Sequence, residues 1–573
     1  MNCKKEVQAQ HQSLHFKMNS SEAFDMTPQR RSAHYKPNIW RYDFIESLTS
    51  KYDGEEYKRL AEQLKEKVKD MFVEAVDQLA KLNLVDRIAK LGLAYLFEKE
   101  IRDTLDTMAS FEISNPNVEQ NLYAIALYFR ILRQHGYEVS QDVFSGFMDG
   151  KGKFVGSKCM DVKGLLELFE ASHLALEGEI ILDEAKAFST GTLEGIIPNL
   201  GTNLAKQIIH ALELSSHRRM QWLEVKWHIN AYEEDKIKDT LLLKFAKLNF
   251  NIVQAKHQND LRNVSRWWRN LGLIEKIEFS RDRLVESFMC VLGVVFEPQH
   301  GSFRKWLTKV IILIAIIDDV YDVYGSLEEL QCFTNAVDRW DAMETQRLPE
   351  CMKNCFDALY DTTMNTAHDI EKEMGWNGVL PYLKKVWADF CKSLLVEARW
   401  YNKGYIPSLD EYTSNAWISS SGTVILVHAF FALKTNEVTK DFPGFIEKNL
   451  ASMYNSSLII RLCNDLVTSV TEQERGDAPS SIICYMREVK VSEEIARKHI
   501  KGMINKGWKK LNGQSSTNSQ SLPSFVDIAR NAARMAHNLY QNGDGFGVQD
   551  REIKSQILSS IVEPFNSTEF TIL

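Results

Sequence analysis

From Trp40 onward, apolar residues recur at three- and four-residue spacing along most of the chain, the period that lays one apolar stripe along a helix. Tyr57 to Leu84 shows this spacing with Lys and Glu between the apolar positions, and predicts an amphipathic helix. Leu122 to Arg133 (LYAIALYFRILR) is more continuously apolar and predicts a largely buried helix. No stretch alternates apolar and polar residues long enough to predict a sheet. Breaks are expected at Asn115–Pro116–Asn117, at Gly150–Gly152, near Pro198–Gly201 and from Gly513 to Pro523, where turn formers cluster. The expected fold class is therefore all-α. The charged stretch Tyr232 to Asp239 (YEEDKIKD) marks a boundary. The expected organisation is a disordered tail over 1–29, an N-terminal helical domain over 30–235, and a C-terminal domain over 236–573 that holds nearly all the polar constellations.

Composition narrows this picture. A chain of 573 residues is too long for one ordinary core. Only 12 Pro and 28 Gly occur, few helix breakers for such a length. A net charge of −8 argues against a nucleic-acid binder, which needs a basic face. No purely apolar run is much longer than Val310 to Ile317, far short of the ~20 residues that span a bilayer. Nine Cys without paired CxxC units predict reduced, mostly buried thiols. The first 29 residues contain no Arg and no apolar signal core, so a cytoplasmic protein is expected, with a plastid protein as the alternative.

Chemistry enters at Leu307 to Tyr324 (LTKVIILIAIIDDVYDVY), a helix apolar all round that turns abruptly acidic. Asp318 and Asp322 are four residues apart and project from one helix face. Asp319 points about 100° away and flanks them. Two carboxylates at the end of an apolar wall repel each other unless a divalent cation neutralises them. Hard oxygen ligands of this kind suit magnesium, which bridges one or two carboxylates to substrate phosphates. In Arg461 to Glu472 (RLCNDLVTSVTE), Asn464, Thr468 and Glu472 stand at i, i+4 and i+8 and form one oxygen-bearing stripe, with Asp465 beside it. Either motif alone also fits an exposed polar helix face. Facing one another at the end of an apolar bundle, they would make a cation cage. Arg281, Arg283 and Arg461 would complete it, since guanidinium groups make bidentate contacts with phosphate oxygens.

Together these residues resemble the plant terpene synthase family. Asp318–Asp319–Val320–Tyr321–Asp322 is similar to its DDxxD motif, Asn464 to Glu472 to its NSE/DTE motif, and Arg281-x-Arg283 to its RxR motif. Arg30–Arg31, eight residues and Trp40 resemble the RRx8W motif of an angiosperm branch rich in monoterpene synthases, and the resemblance spans roughly residues 30–573. It implies two helical domains: a C-terminal class I catalytic bundle and an N-terminal helical barrel without its own active site. It also implies that the tandem arginines belong to a strand folded over the active-site mouth.

The resemblance implies further that three Mg2+ ions, with Mn2+ as an alternative, bind Asp318, Asp319 and Asp322 on one side and Asn464, Thr468 and Glu472 on the other. Arg281, Arg283 and Arg461 would serve catalysis beside the leaving group. Arg281, Asp318, Asp322, Arg461 and Asn464 would contact the substrate, a farnesyl or geranyl diphosphate. A monomer is expected, with no nucleic acid and no membrane insertion. No DxDD motif occurs, so ionisation is the chemistry expected rather than protonation. A chain-elongating prenyltransferase would carry two DDxxD motifs, and a non-catalytic helical scaffold would need none of these groups.

One departure bears on the product. Many cyclising members place Trp seven residues after the second Arg of RxR, and here that residue is Cys290. An aromatic face stabilises a nearby cation by roughly 0.5–2 kcal/mol, so its absence predicts an acyclic product. Ser419 to Gly422 (SSSG) is expected to kink a helix at the pocket. Tyr540, Asp544 and Phe546 are expected to cap it.

Overall fold

A computed structural model of the chain describes residues 30, 33, 35–110, 121–432, 442–475, 479–514 and 524–566. The expected tail, Arg31, the break at Asn115–Pro116–Asn117 and most of the Gly513–Pro523 loop lie outside the described residues. Helices account for 77% of the chain and no strand forms among the described residues, as the periodicity predicts. The nearest approach to a strand there is a single bridge between Met148 and Phe154, across the turn at Gly150–Gly152.

Local polar residues set where the helices start and stop. The pattern from Tyr57 to Leu84 is two helices, Glu55–Glu74 and Gln78–Lys90, rather than one. Asp77 explains the break: its side chain accepts from the Ala80 amide at 2.7 Å and caps the second helix. An apolar stripe carries across such a cap without a visible interruption. Leu122–Gln134 is buried along most of its length, as predicted. In the charged stretch after Gln221–Glu233, Asp239 caps the 32-residue helix Thr240–Leu271.

Two large hydrophobic cores result among the described residues, beside a small cluster of Trp400, Tyr412, Ala416 and Cys484. The smaller draws on residues from Leu122 to Ala211. The larger joins residues from Trp40 to Met108, together with Leu127, Ile131 and Leu132, to residues from Met220 to Ile561, and Glu55–Glu74 packs along Thr240–Leu271 within it. Within the larger core, five helices close a ring. They are Leu284–Val294, Gly301–Asp319, Gly422–Phe431, Phe442–Arg475 and Phe525–Leu539, the last packing back on the first. Leu380–Lys403 and Leu409–Ser419 pack against this ring. No helix among the described residues is long and apolar enough to cross a membrane.

Candidate active site

The ring of helices encloses a cavity with an apolar wall and a charged mouth. Ile311, Ile314, Ala315, Phe390, Ile425, Ile460, Met535, Ala536 and Leu539 form the wall. These side chains are also buried core, so the same packing that stabilises the bundle shapes the pocket. Cys290 sits in this wall and is fully buried, and burial pushes its thiol well above the ordinary range, so it stays neutral.

Asp318 and Asp322 both face the cavity. The helix that carries them ends at Asp319 and widens into a π-turn over Val320–Tyr324, with the Gly325 amide donating to the Val320 carbonyl at 2.8 Å. Tyr321 turns into the core, its hydroxyl 2.7 Å from Thr334 Oγ1. Opposite, Asn464 and Thr468 face the same space from Phe442–Arg475, one turn apart, with Arg461 one turn before them. Glu472 follows on this helix, but its side chain lies outside the described residues.

Asp319 departs from its expected place as a cavity-facing ligand. It is fully buried and does not line the cavity. Its Oδ1 accepts from the Tyr35 hydroxyl at 2.8 Å, and its Oδ2 accepts from Ser280 Oγ at 2.8 Å and from the Arg281 amide at 2.9 Å. Burial pushes its carboxyl upward, opposed by the Arg281 guanidinium 3.0 Å away. Asp319 thus fixes Arg281, whose Nη2 reaches Asp318 Oδ2 at 2.6 Å. Burial tends to lower the Arg281 pKa, but Asp319, Tyr35 and Asp318 overcome it, and the guanidinium stays charged.

Arg283 departs in the same way. Its Nε donates to the Phe546 carbonyl at 3.0 Å and its Nη2 to the Gly547 carbonyl at 2.8 Å. It is buried behind the mouth and anchors the segment that brings Tyr540, Asp544 and Phe546 to the cavity. Asp465 is likewise turned inward, accepting from the Tyr412 hydroxyl at 2.9 Å and from the Ser481 amide at 2.9 Å.

Sequence reasoning missed three contributors: two come from distant elements, and one, Ser280, adjoins Arg281 without any pattern that marks it. Tyr35 lines the cavity and places its ring centroid 5.2 Å from the Arg281 guanidinium. Its segment is stitched across the mouth. Arg30 pairs with Glu329 (Nη2 to Oε1, 2.8 Å), the Trp40 indole donates to Glu286 at 2.8 Å, and Asn38 donates to Asp282 at 2.9 Å. The Ser280 hydroxyl is the second, and Glu397 behind Arg461 is the third. The only advance signal for this segment was the spacing from Arg30 to Trp40.

The small-residue stretch does break a helix. Leu409–Ser419 ends, Ser421 takes a left-handed conformation (φ 65°), and Gly422–Phe431 begins; Ser419, Ser420 and Ser421 line the cavity. Gly422 is required by close approach, since a Cβ there would stand 2.8 Å from Ser457 Cα. Gly422→Ala is expected to cost about 1–3 kcal/mol through overpacking, read as a lowered thermal midpoint. An unchanged midpoint would show that the two helices separate easily here.

The mouth suits a hard divalent cation. The two facing helices give it two carboxylates, an amide and a hydroxyl, and the 540–547 segment adds the Asp544 carboxylate; all bind through oxygen, with no His or Cys thiolate among them. Among the described residues, no three His, Cys, Asp or Glu converge on one point. The described oxygen donors fit magnesium, an ion that retains waters and takes substrate phosphates as further ligands.

Comparison with known proteins agrees with this geometry. Residues 269–510 match the family described as "Terpene synthase family, metal binding domain", and residues 39–212 match "Terpene synthase, N-terminal domain". The chain is 58% identical over 551 residues to an alpha-farnesene synthase of Ricinus communis, covering 95% of this chain and 97% of that protein. It is 58% identical over 550 residues to an (E,E)-alpha-farnesene synthase of Malus domestica, covering 95% of each. Its fold is similar to that of isoprene synthase from grey poplar, solved with three Mg2+ ions and dimethylallyl-S-thiolodiphosphate. The TM-score is 0.84 and the identity 43%, over 92% of this chain and 99% of that one.

Proposed function

The chain belongs to the terpene synthase family, and from that premise we propose that it ionises farnesyl diphosphate and releases an acyclic sesquiterpene, (E,E)-α-farnesene, by loss of diphosphate and of a proton. One juxtaposition carries this reading. Asp318 and Asp322 face Asn464 and Thr468 across the mouth of an apolar cavity, with Arg281 and Arg461 beside them. In this reading those four oxygen ligands, together with Glu472, would hold Mg2+, while Asp319 and Arg283 act indirectly, through Arg281 and the 540–547 segment. Bound magnesium supplies the positive charge that makes diphosphate a good leaving group.

The chain's own groups do the rest. Arg281 and Arg461 add fixed charge where the leaving group develops its own. The apolar wall, Phe390 included, would hold the isoprenoid tail and shield the cation from bulk water. The Tyr35 segment closes the mouth from above. The Tyr540 hydroxyl, its pKa pushed far up by burial and by Asp544, stays protonated and adds no charge to the wall. The domain division at about residue 235 is part of the same reading, supported by the turn that separates Gln221–Glu233 from Thr240–Leu271.

Farnesyl diphosphate and an acyclic product are supported by the two farnesene synthases at 58% identity and by the neutral, non-aromatic Cys290 in the cavity wall. Cys290→Trp is expected to raise the cyclic fraction of the products. A cation–π gain of roughly 0.5–2 kcal/mol corresponds to about a 2- to 30-fold change in the cyclic-to-acyclic ratio. Gas chromatography of the products reads this directly, and an unchanged ratio would remove Cys290 from the account. Turnover of farnesyl and geranyl diphosphates, supplied separately with Mg2+, tests the function itself.

A further inference from the structure

Behind the charged mouth lies a second carboxylate. Glu397, on Leu380–Lys403, is 7% exposed and does not line the cavity. Its Oε1 accepts from Ser419 Oγ at 2.5 Å and from Asn415 Nδ2 at 3.2 Å. Ser419 Oγ in turn accepts from Arg461 Nη2 at 3.2 Å, and Glu397 Oε2 stands 4.0 Å from the same nitrogen. A hydroxyl that donates to a carboxylate and accepts from a guanidinium is polarised one way along the chain, which strengthens both bonds. Ser419 is also the last residue of its helix before the left-handed turn at Ser421. One buried carboxylate therefore ties the cation at the leaving-group end to the helix break that shapes the pocket.

Burial raises the Glu397 carboxyl, and Arg461 opposes the shift. A buried carboxylate served by a hydroxyl, an amide and a guanidinium at the limit of contact is a poor source of stability. Its placement has a better account in geometry. The Arg461 side chain reaches the cavity from a long helix through several rotatable bonds, and a bridge behind it removes that freedom before substrate arrives.

We propose that Glu397 is a positioning residue for ionisation, holding Arg461, through the Ser419 hydroxyl, in the orientation that meets the diphosphate. The proposal rests on the reading of this mouth as a diphosphate cradle.

The test is a double-mutant cycle on binding of farnesyl thiolodiphosphate, whose C–S bond resists ionisation, measured by calorimetry with Mg2+. Glu397→Gln keeps an oxygen that accepts from Ser419, removes the charge, and puts a donor in place of the second oxygen that faces Arg461. It is expected to weaken binding about tenfold, at the low end of losses seen when a residue supporting a ligand-binding group is changed, with the thermal midpoint unchanged. In an Arg461→Lys background, which lacks the fork that Ser419 orients, Glu397→Gln should leave the Kd where it is. The same factor in both backgrounds would overturn the proposal, as would a wild-type Kd in Glu397→Gln or a change confined to the thermal midpoint. A wild-type protein that binds only the geranyl analogue would refute the farnesyl reading, and the same cycle run with that analogue would still decide the role of Glu397.

Discussion

Asp318→Asn is expected to lower kcat by about 10²–10³-fold while leaving the protein folded. Asp318 faces the cavity opposite Asn464 and Thr468, and its side chain is 31% exposed. Asn keeps the shape and removes the charge. A carboxylate on a divalent cation contributes several kcal/mol of transition-state charge stabilisation, and about 3–4 kcal/mol corresponds to a rate loss of that size. The Mg2+ concentration needed for half-maximal rate should rise in parallel. Asp319→Asn provides the contrast. Its carboxylate is fully buried and accepts three hydrogen bonds that hold Arg281, Ser280 and Tyr35. It should lower the thermal midpoint more and kcat less, by about 10- to 100-fold, as for a residue that supports a ligand rather than being one. Steady-state kinetics across Mg2+ concentrations separates the two. Equal loss in both variants without a Mg2+ effect in Asp318→Asn would contradict the assignment.

Arg281→Met is expected to damage stability and activity together. The guanidinium lies 2.6 Å from Asp318 and 3.0 Å from the fully buried Asp319. Removing one partner of a buried pair leaves an uncompensated charge and costs about 3–5 kcal/mol. Loss of a fixed charge beside the leaving group should cost a further 10²–10³-fold in kcat, approximately the effect of removing one preorganised electrostatic contact. The two losses come apart in the double variant Arg281→Met/Asp319→Asn. Neutralising Asp319 should restore most of the thermal midpoint and none of the rate. Recovery of both would mean that Arg281 acts only by holding the fold.

The elements legible in the sequence are those in which a local period and a chemical contrast coincide. The apolar run Val310 to Ile317 ends abruptly at Asp318, and the spacing to Asp322 puts both carboxylates on one face. The spacing of Asn464 and Thr468 does the same on a second helix. What was not legible depends on the approach of distant segments. Asp319 and Asp465 are chemically indistinguishable from their neighbours in a motif, yet each is one residue out of phase with the cavity face. Each is consumed by partners from elsewhere, Tyr35 and Ser280 for the first and Tyr412 and Ser481 for the second. Arg283 has the same two-residue relation to Arg281 as any pair of arginines flanking an aspartate. Only the 540–547 segment, more than 250 positions away, gives it carbonyls to bind. The break at Asp77 was hidden because the apolar stripe continues in phase across it. Glu397 carried no signal, since a glutamate in an amphipathic helix is ordinary until Ser419 and Arg461 close on it.

The central claim is most directly tested by gas chromatography–mass spectrometry of the products formed by the purified chain with Mg2+ and farnesyl diphosphate, against a parallel reaction with geranyl diphosphate. The account predicts (E,E)-α-farnesene as the main product from the C15 substrate and no product when Mg2+ is removed by chelation. Mostly cyclic sesquiterpenes, or efficient turnover of the C10 substrate alone, would contradict it.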